Sequence, residues 1–137
     1  MIKVYTAIPD DAVRIRKEVF MEEQGFKDEF DATDEVALHL VAYDGEEPVG
    51  TCRVFYDEAS SSYVLGRLAI RKPWRGKDLG SALIAEAEKA VTARSGNSLI
   101  LHSQCRASAF YEKNGFVRFG DIDEDEGCPH VWMKKEL

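Results

Sequence analysis

Short apolar runs, several of them alternating with polar residues, mark out the strands of this chain. They predict strands at residues 2–5, 36–43, 49–56, 63–70, 98–102, 116–119 and 130–134. The turns at Asp44-Gly45 and at residues 59–62 are short, which is typical of antiparallel neighbours. Residues 98–102 are apolar on both faces, as in the interior of a sheet. The strands therefore predict one sheet whose first half is antiparallel.

Three other segments repeat their apolar residues at helical spacing. The first begins at Pro9-Asp10-Asp11, where either Asp can cap the free N–H groups of the first turn. The third spans residues 106–114 and ends at Asn114-Gly115. The expected buried faces of the first two are Ala12, Ile15, Val19 and Phe20, and Leu79, Leu83, Ala87, Ala90 and Val91. The element order predicts an α+β (mixed α/β) fold, in which helices flank a mostly antiparallel mixed sheet of about seven strands.

Two acidic stretches interrupt the strands and helices. Residues 22–35 predict an irregular, solvated connection, and its charge favours a cationic or amine-bearing ligand. Residues 121–127 resemble the start of a calcium-binding EF-hand loop. Glu126 and Trp132 stand where that loop needs its glycine and its last glutamate, so a solvated hairpin turn is expected instead. The acids of the first stretch are Glu22, Glu23, Asp28, Glu29, Asp31, Asp34 and Glu35.

Composition limits the classes of function. A length of 137 residues predicts one domain covering positions 1–137, and no apolar run approaches the roughly 20 residues of a membrane span. Three scattered cysteines predict a reducing, cytoplasmic environment. With 25 acids against 18 bases, the net charge of −7 argues against nucleic-acid binding. The expectation is a small protein with neither nucleic acid nor membrane as partner.

Residues 71–81, Arg-Lys-Pro-Trp-Arg-Gly-Lys-Asp-Leu-Gly-Ser, carry the strongest chemical signal. Four of the seven residues 71–77 are basic, and the segment lies between a strand and an amphipathic helix. The free N–H groups and the dipole at a helix start favour an anion, and glycines let a phosphate approach the backbone. The spacing fits neither a P-loop nor the dinucleotide fingerprint. A polyphosphate ligand is therefore expected, with a loop of solvated charges as the alternative.

This segment resembles the pyrophosphate loop of the GNAT N-acetyltransferases, whose pattern is Gln/Arg-x-x-Gly-x-Gly/Ala. Further matches cover almost the whole chain and point to an ElaA/YjcF-like branch. They are Arg16-Lys17-Glu18-Val19-Phe20, Glu23-Gln24, His39-Leu40-Val41, Gly66-Arg67-Leu68, Phe110-Tyr111-Glu112-Lys113-Asn114-Gly115-Phe116 and Gly127-Cys128-Pro129-His130. Their shared order and spacing identify the chain as a member of this superfamily.

The resemblance implies an acetyl-CoA-dependent N-acetyltransferase, with acetyl-CoA bound between two strands that splay apart, one ending at Ile70 and the other at His102. Pantetheine would pair with the edge of residues 68–70, and backbone N–H groups near Leu68–Ala69 would polarise the thioester carbonyl. Tyr111 would protonate the leaving CoA thiolate. The implied cofactor contacts are Leu68, Ala69, Ile70, Arg75, Gly76, Lys77, Asp78, Leu79, Gly80 and Ser81.

Asp78 departs from the family pattern, which has a glycine at this position. A carboxylate beside a pyrophosphate is repelled by about 1 kcal/mol in water. As a helix-start residue it can also take the N–H groups that the phosphate needs. Weaker CoA binding is expected, and this departure supports the alternative of a non-catalytic acyl-CoA-binding or sensing module.

The sequence leaves several candidates for the general base and for the acceptor. Glu23, His39 and His102 are the candidate bases, and Glu23 is taken as the catalytic candidate beside Tyr111. The acceptor is expected to be a small-molecule or peptide amine, and the resemblance allows a homodimer.

His102, Cys105, Cys128 and His130 allow two other interpretations, a set of zinc ligands or a Cys/His nucleophile pair. Cys105 activated by His102 would make a thioester hydrolase, which ranks below the transferase. Neither Cys-x-x-Cys nor His-x₃-His occurs, so no metal site is predicted.

Overall fold

The computed structural model describes residues 1–27, 29–125 and 127–137, so Asp28 and Glu126 of the acidic stretches lie outside the described residues. The strands are β1 Ile2–Tyr5, β2 Leu38–Asp44, β3 Glu47–Asp57, β4 Ser62–Ile70, β5 Ser98–Gln104, β6 Val117–Asp125 and β7 Cys128–Glu136. The helices are α1 Asp10–Arg16, α2 Leu79–Ala93 and α3 Ser108–Lys113. A π-helical turn, Lys17–Glu23, continues α1, and 3-10 turns cover Ala32–Glu35, Lys72–Trp74 and Cys105–Ala107.

All seven strands form one sheet in the order β1-β2-β3-β4-β5-β7-β6. Every pair is antiparallel except β4 and β5, which are parallel. The predicted fold class, a mixed and mostly antiparallel seven-stranded sheet in a single domain, is confirmed.

The sheet opens in its middle, between β4 and β5. Their pairing joins Tyr63–Leu65 to Leu99–Leu101 and extends no further along either strand. Beyond it, Gly66–Ile70 keeps pairing with β3, and His102–Gln104 keeps pairing with β7. The facing edges of the two strands are therefore free of each other, as the family resemblance implied.

A bulge distorts β4 at the point where the opening begins. Two residues, Arg67 and Leu68, oppose the single residue Cys52 of β3. Arg67 has a φ of 52°, a left-handed conformation that costs a non-glycine residue roughly 1–2 kcal/mol. Such bulges redirect the backbone and side chains of a strand. Here the bulge follows the residues of β4 that pair with β5.

The helices cover both faces of the sheet, as the apolar stripes predicted. Ile15, Val19 and Phe20 pack with Val41 on one face. Leu83, Ile84, Ala87 and Val91 of α2 pack on the other, against β2, β3, β4, β5 and β7. Among the described residues, no helix is long and apolar enough to cross a membrane.

Three local predictions are wrong. Pro9 occupies the N-cap position of α1, so Asp10 and Asp11 lie inside the first turn and neither caps it. The 22–35 segment is not simply solvated, because Glu29 and Asp34 are buried. The acidic segment 121–125 continues β6 rather than forming a turn, because residues 123–125 pair with residues 128–130 of β7.

Candidate active site

A cleft of about 990 Å³ fills the opening between β4 and β5. Five of the residues singled out in the sequence line it: Glu23, Leu68, Arg75, His102 and Tyr111. They come from the π-helical turn, the β4 bulge, the loop before α2, β5 and α3. The other predicted cofactor contacts lie outside this lining, at the end of β4 and the start of α2: Ala69, Ile70, Gly76, Lys77, Asp78, Leu79, Gly80 and Ser81.

The start of α2 offers backbone donors to an anion. The first backbone hydrogen bond of this helix runs from the Ala82 N–H to the Asp78 carbonyl. Because the first turn of a helix has no intrahelical partners for its N–H groups, those of Leu79, Gly80 and Ser81 remain available. Asp78 has a φ of 61°, which explains why a glycine suits this position. Its carboxylate makes no capping hydrogen bond to the helix, so it does not take the donors from a ligand.

Gly80 lets the start of α2 approach α3 closely. A Cβ atom at this position would lie 2.9 Å from Cζ of Phe110, inside normal contact distance. Phe110 in turn contacts Tyr111 edge to face, with ring centroids 5.1 Å apart. The absence of a side chain at residue 80 thus fixes the spacing between the helix start and the aromatic pair beside the cleft.

Arg75 spans the cleft mouth to Glu23. Two guanidinium nitrogens donate to the two carboxylate oxygens, each at 2.7 Å, and Nε donates to the Ile70 carbonyl at 2.8 Å. The Arg75 hydrogen bonds lower the pKa of Glu23 below its usual value, although slight burial acts the other way. Glu23 is therefore a weak base in this arrangement, and the Arg75 guanidinium is already paired with a carboxylate of its own chain.

Tyr111 stands in the cleft wall and keeps its proton. Burial raises the pKa of the phenol above its usual value, with a smaller contribution from the nearby Cys52. The ring packs edge to face against Phe110 and Phe116, at centroid distances of 5.1 and 6.0 Å. A phenol held neutral in this way can donate a proton to a stronger base in the cleft.

A largely buried charge cluster, termed the buried charge cluster, lies at the other end of the cleft, where Glu29, Arg53 and Arg67 contribute to the lining. It consists of Arg16, Arg53, Arg67, Glu29, Asp31 and Asp34. Arg16 is 1% exposed and binds Asp34 at 2.7 Å and Glu29 at 2.9 Å. Arg53 joins Asp34 at 2.9 Å, and Arg67 lies 3.0 Å from Glu29. Glu29, Asp31 and Asp34 are thus paired with arginines of the protein, so the charge of these three acids does not favour a cationic ligand.

Opposing effects set the protonation of this buried charge cluster. Burial alone would raise the pKa of Asp34, but hydrogen bonds from Arg16 and Arg53 outweigh it and hold the pKa well below the usual range. A hydrogen bond from Arg53 likewise lowers the pKa of Asp31. For Glu29, burial dominates and raises the pKa despite the two arginines beside it. Asp34 is therefore the anion that Arg16 and Arg53 share.

Of the remaining candidates from the sequence, His102 lines the cleft, whereas His39 and Cys105 do not. His39 is buried outside the cleft lining, and its Nε2 lies 2.9 Å from the Asp34 carbonyl oxygen. Burial lowers its pKa. Cys105 packs against the core rather than lining the cleft, which removes the geometric support for a thiol hydrolase. His102 does face the cleft, where it stacks on the rings of His130 and Trp132.

Sequence reasoning did not bring together the residues of the cleft wall opposite the helix start, although it had singled out Arg67 and His130. Arg53, Arg67, Gln104, Asp125 and His130 all line it. They come from five different strands, so no local spacing connects them. Strand alternation was the one available signal, because it places His102 and Gln104 on one face of β5 and His130 and Trp132 on one face of β7.

Comparison with known proteins places the chain and its fold in one class. A family model described as an acetyltransferase (GNAT) domain matches residues 6–137. YjcF of Bacillus subtilis (strain 168) is 33% identical over 129 residues, covering 92% of this chain and 91% of its own. A solved structure from Lactobacillus plantarum is 30% identical with a TM-score of 0.89, covering 99% of this chain and 98% of that one. Escherichia coli ElaA, at 22% identity and a TM-score of 0.85, covers 99% of this chain and 100% of its own and shares the fold.

The chain is therefore an acetyltransferase. It belongs to the acetyltransferase (GNAT) domain family, and relatives such as YjcF and ElaA agree with the predicted branch.

Proposed function

We propose that this protein transfers an acetyl group from acetyl-CoA directly to the amine of a small molecule or peptide. The observation that carries the proposal is the opening between β4 and β5, which begins at the bulge and leaves the facing edges of the two strands unpaired with each other beside a cleft. An extended pantetheine arm can pair with the free edge of residues 68–70 like an added strand. The pyrophosphate would then reach the N–H groups at the start of α2.

The proposed reaction needs one acid and one base. The neutral amine attacks the thioester carbon, the C–N bond forms, and the C–S bond breaks as the thiolate leaves. Tyr111 donates its phenolic proton to the sulfur, and the backbone N–H groups at the Leu68 bulge stabilise the developing oxyanion. The proton of the attacking nitrogen passes to the base, and the electron pair of the broken C–S bond leaves with the sulfur.

Glu23 is the proposed base, acting through its contact with Arg75. In the free protein, Arg75 lowers the pKa of Glu23. Because Arg75 also stands beside the proposed pyrophosphate site, a bound CoA would draw the guanidinium toward its phosphates and weaken the pair. The pKa of Glu23 would then rise toward its usual value. Glu23→Gln is expected to lower kcat while leaving CoA bound at least as tightly.

Two expectations about the wider context remain predictions. A cytoplasmic location rests on the three cysteines, all of them free. A homodimer rests on the family resemblance alone.

The first experiment is a calorimetric titration of the protein with acetyl-CoA, using ATP as the control. Saturable acetyl-CoA binding without ATP binding supports the proposed cofactor site. Absence of acetyl-CoA binding contradicts the proposal.

Tyr111→Phe then tests catalysis separately from binding. Loss of the phenolic proton is expected to lower the rate of acetyl transfer on the order of a hundredfold, with CoA affinity unchanged. Free-thiol release with a panel of amines measures the rate, and Tyr56→Phe, at an exposed tyrosine of β3, is the matched control. Equal rates in wild type and Tyr111→Phe would remove Tyr111 from the mechanism. Binding of CoA with no amine-dependent thiol release in the wild type would favour the non-catalytic module.

A further inference from the structure

Three metal-ligating side chains that the proposed transfer does not use meet in the cleft wall. They are His102 of β5, Asp125 of β6 and His130 of β7, and one ligand atom of each lies within 4.8 Å of the others. All three line the cleft between β4 and β5. The cluster is therefore reachable from solvent through the same opening as the proposed substrates.

The sheet holds this cluster on one face of three adjacent strands. His102 lies opposite Trp132, and His130 lies two residues before Trp132 on the same strand. On the other side of β7, Asp123 pairs with His130, and Asp125 follows two residues later. Because side chains two residues apart on a strand point the same way, the ladder alone brings an imidazole from β5, an imidazole from β7 and carboxylates from β6 together.

Contacts around the rings orient them for coordination. Nδ1 of His130 lies 2.8 Å from the Cys128 carbonyl oxygen, which can only accept a hydrogen bond. Nδ1 therefore carries the proton, which leaves the lone pair of Nε2 as the ligand. His130 is 6% exposed, and its ring lies 4.7 Å from that of His102. His102 in turn stacks on Trp132 at 4.7 Å.

Charge at the cluster suits a divalent cation. Nε2 of His102 donates a hydrogen bond to the Asp123 carboxylate at 2.7 Å, which leaves the lone pair of Nδ1 for a metal. Asp123 and Asp125 together bring two carboxylates to the cluster. Zinc is bound at about 2.0–2.2 Å, so in a tetrahedral site two of its ligand atoms lie roughly 3.4 Å apart. Ligand atoms that are up to 4.8 Å apart must therefore close by as much as about 1.4 Å, and Asp125 is exposed at the end of its strand, where it is free to adjust.

We propose that His102, His130 and Asp125 bind one divalent transition-metal ion, with Zn²⁺ favoured by the two imidazoles and one carboxylate. Sites with three protein ligands of this kind leave a coordination position open to solvent or to a ligand. A bound ion would place a positive charge in the cleft wall formed by β5, β6 and β7. Binding can be measured without acetyl transfer, so this proposal succeeds or fails independently of the function proposed above.

Trp132 provides a local probe for the ion. The chain has two tryptophans, and Trp74→Phe leaves Trp132 as the only indole. Metal-stripped Trp74→Phe protein is titrated with Co²⁺ while tryptophan emission is followed, and Zn²⁺ is then added as the competitor. Calorimetry of the wild type with Zn²⁺ gives the stoichiometry. The expected result is saturable quenching with one ion per chain, reversed by Zn²⁺.

Substitutions identify the ligands. His102→Gln and Asp125→Asn are expected to weaken Zn²⁺ binding at least tenfold by calorimetry, whereas Asp121→Asn, at an exposed acid on the same strand as Asp125, leaves it unchanged. Asp125 is exposed, so its substitution does not endanger folding. Unchanged affinity in both ligand variants, no saturable binding in the wild type, or a cobalt–thiolate absorption band that Cys128→Ser abolishes would each overturn the proposal.

Discussion

The two ends of the cleft are built in different ways. The helix-start end is assembled from consecutive residues, since the loop at residues 75–78 leads directly into the first turn of α2. The opposite end is assembled from distant parts of the chain: the π-helical turn, the 22–35 segment, and strands β3 to β7. The first end relies on backbone N–H groups, and the second on paired side-chain charges and stacked rings. A binding site made of consecutive backbone groups can be predicted from the sequence. A site made of side chains from many elements can be recognised only once the fold is known.

The largest expected effect comes from removing the arginine at the centre of the distant-residue end. Arg16→Met leaves Glu29 and Asp34 buried without their shared partner, which is expected to lower the free energy of unfolding by about 3–5 kcal/mol. Denaturant unfolding measures it. Arg94→Met, at an exposed position at the end of α2, should change stability by less than about 0.5 kcal/mol. If Arg16→Met loses no more unfolding free energy than Arg94→Met, the buried charge cluster does not stabilise this end of the cleft.

The second-largest expected effect is a loss of stability at the same end of the cleft when the pH is lowered. The pKa of Asp34 is lower in the folded protein than in the unfolded chain, so its contribution to stability is fully present above the unfolded value of roughly 3.9. That contribution is lost as the pH falls below this value toward the folded pKa, by on the order of 2 kcal/mol. Unfolding free energies measured from pH 5 to pH 2 should show this slope. In Asp34→Asn the slope should flatten, and an unaltered slope would assign the acid sensitivity to other carboxylates.

A smaller effect is expected at the helix-start end from Gly80→Ala. The new methyl group would lie 2.9 Å from Cζ of Phe110, so α2 or the ring must shift, at a cost of about 1–3 kcal/mol. Acetyl-CoA binding should also weaken, because the proposed N–H donors move with the helix start. Calorimetry and thermal unfolding measure the two effects. Ser81→Ala, which keeps the backbone donor beside it, serves as the control and should bind acetyl-CoA normally.

The smallest effect is expected from Asp78→Gly. Glycine adopts the observed φ of 61° without strain, and the change removes a negative charge beside the proposed pyrophosphate site. A repulsion of about 1 kcal/mol corresponds to roughly fivefold tighter acetyl-CoA binding. Asp78→Asn removes the charge but keeps the side chain, so it separates charge from strain. Equal affinity in all three proteins would show that Asp78 faces away from the ligand.

The same contrast explains which features the sequence could predict. Strand and helix order followed from apolar periodicity, because each element buries one face against its neighbours. The loop before α2 was recognised because its glycines and basic residues are contiguous. Residues 121–125 were expected in a turn because they are acidic, but pairing with β7 decided their conformation. Glu29 and Asp34 were expected in solvent, since only the fold brings Arg16, Arg53 and Arg67 to them.

The acidity of β6 also bears on how the protein behaves at high concentration. β6 is an outer strand of the sheet, and its exposed apolar residues Val117, Phe119 and Ile122 make it a template for pairing with another chain. Asp121, Asp123, Glu124 and Asp125 lie on the same strand, where like charges repel a second copy aligned along it. The acids that resemble the start of a calcium loop thus oppose edge-to-edge pairing of two copies, the first step toward fibrous aggregation.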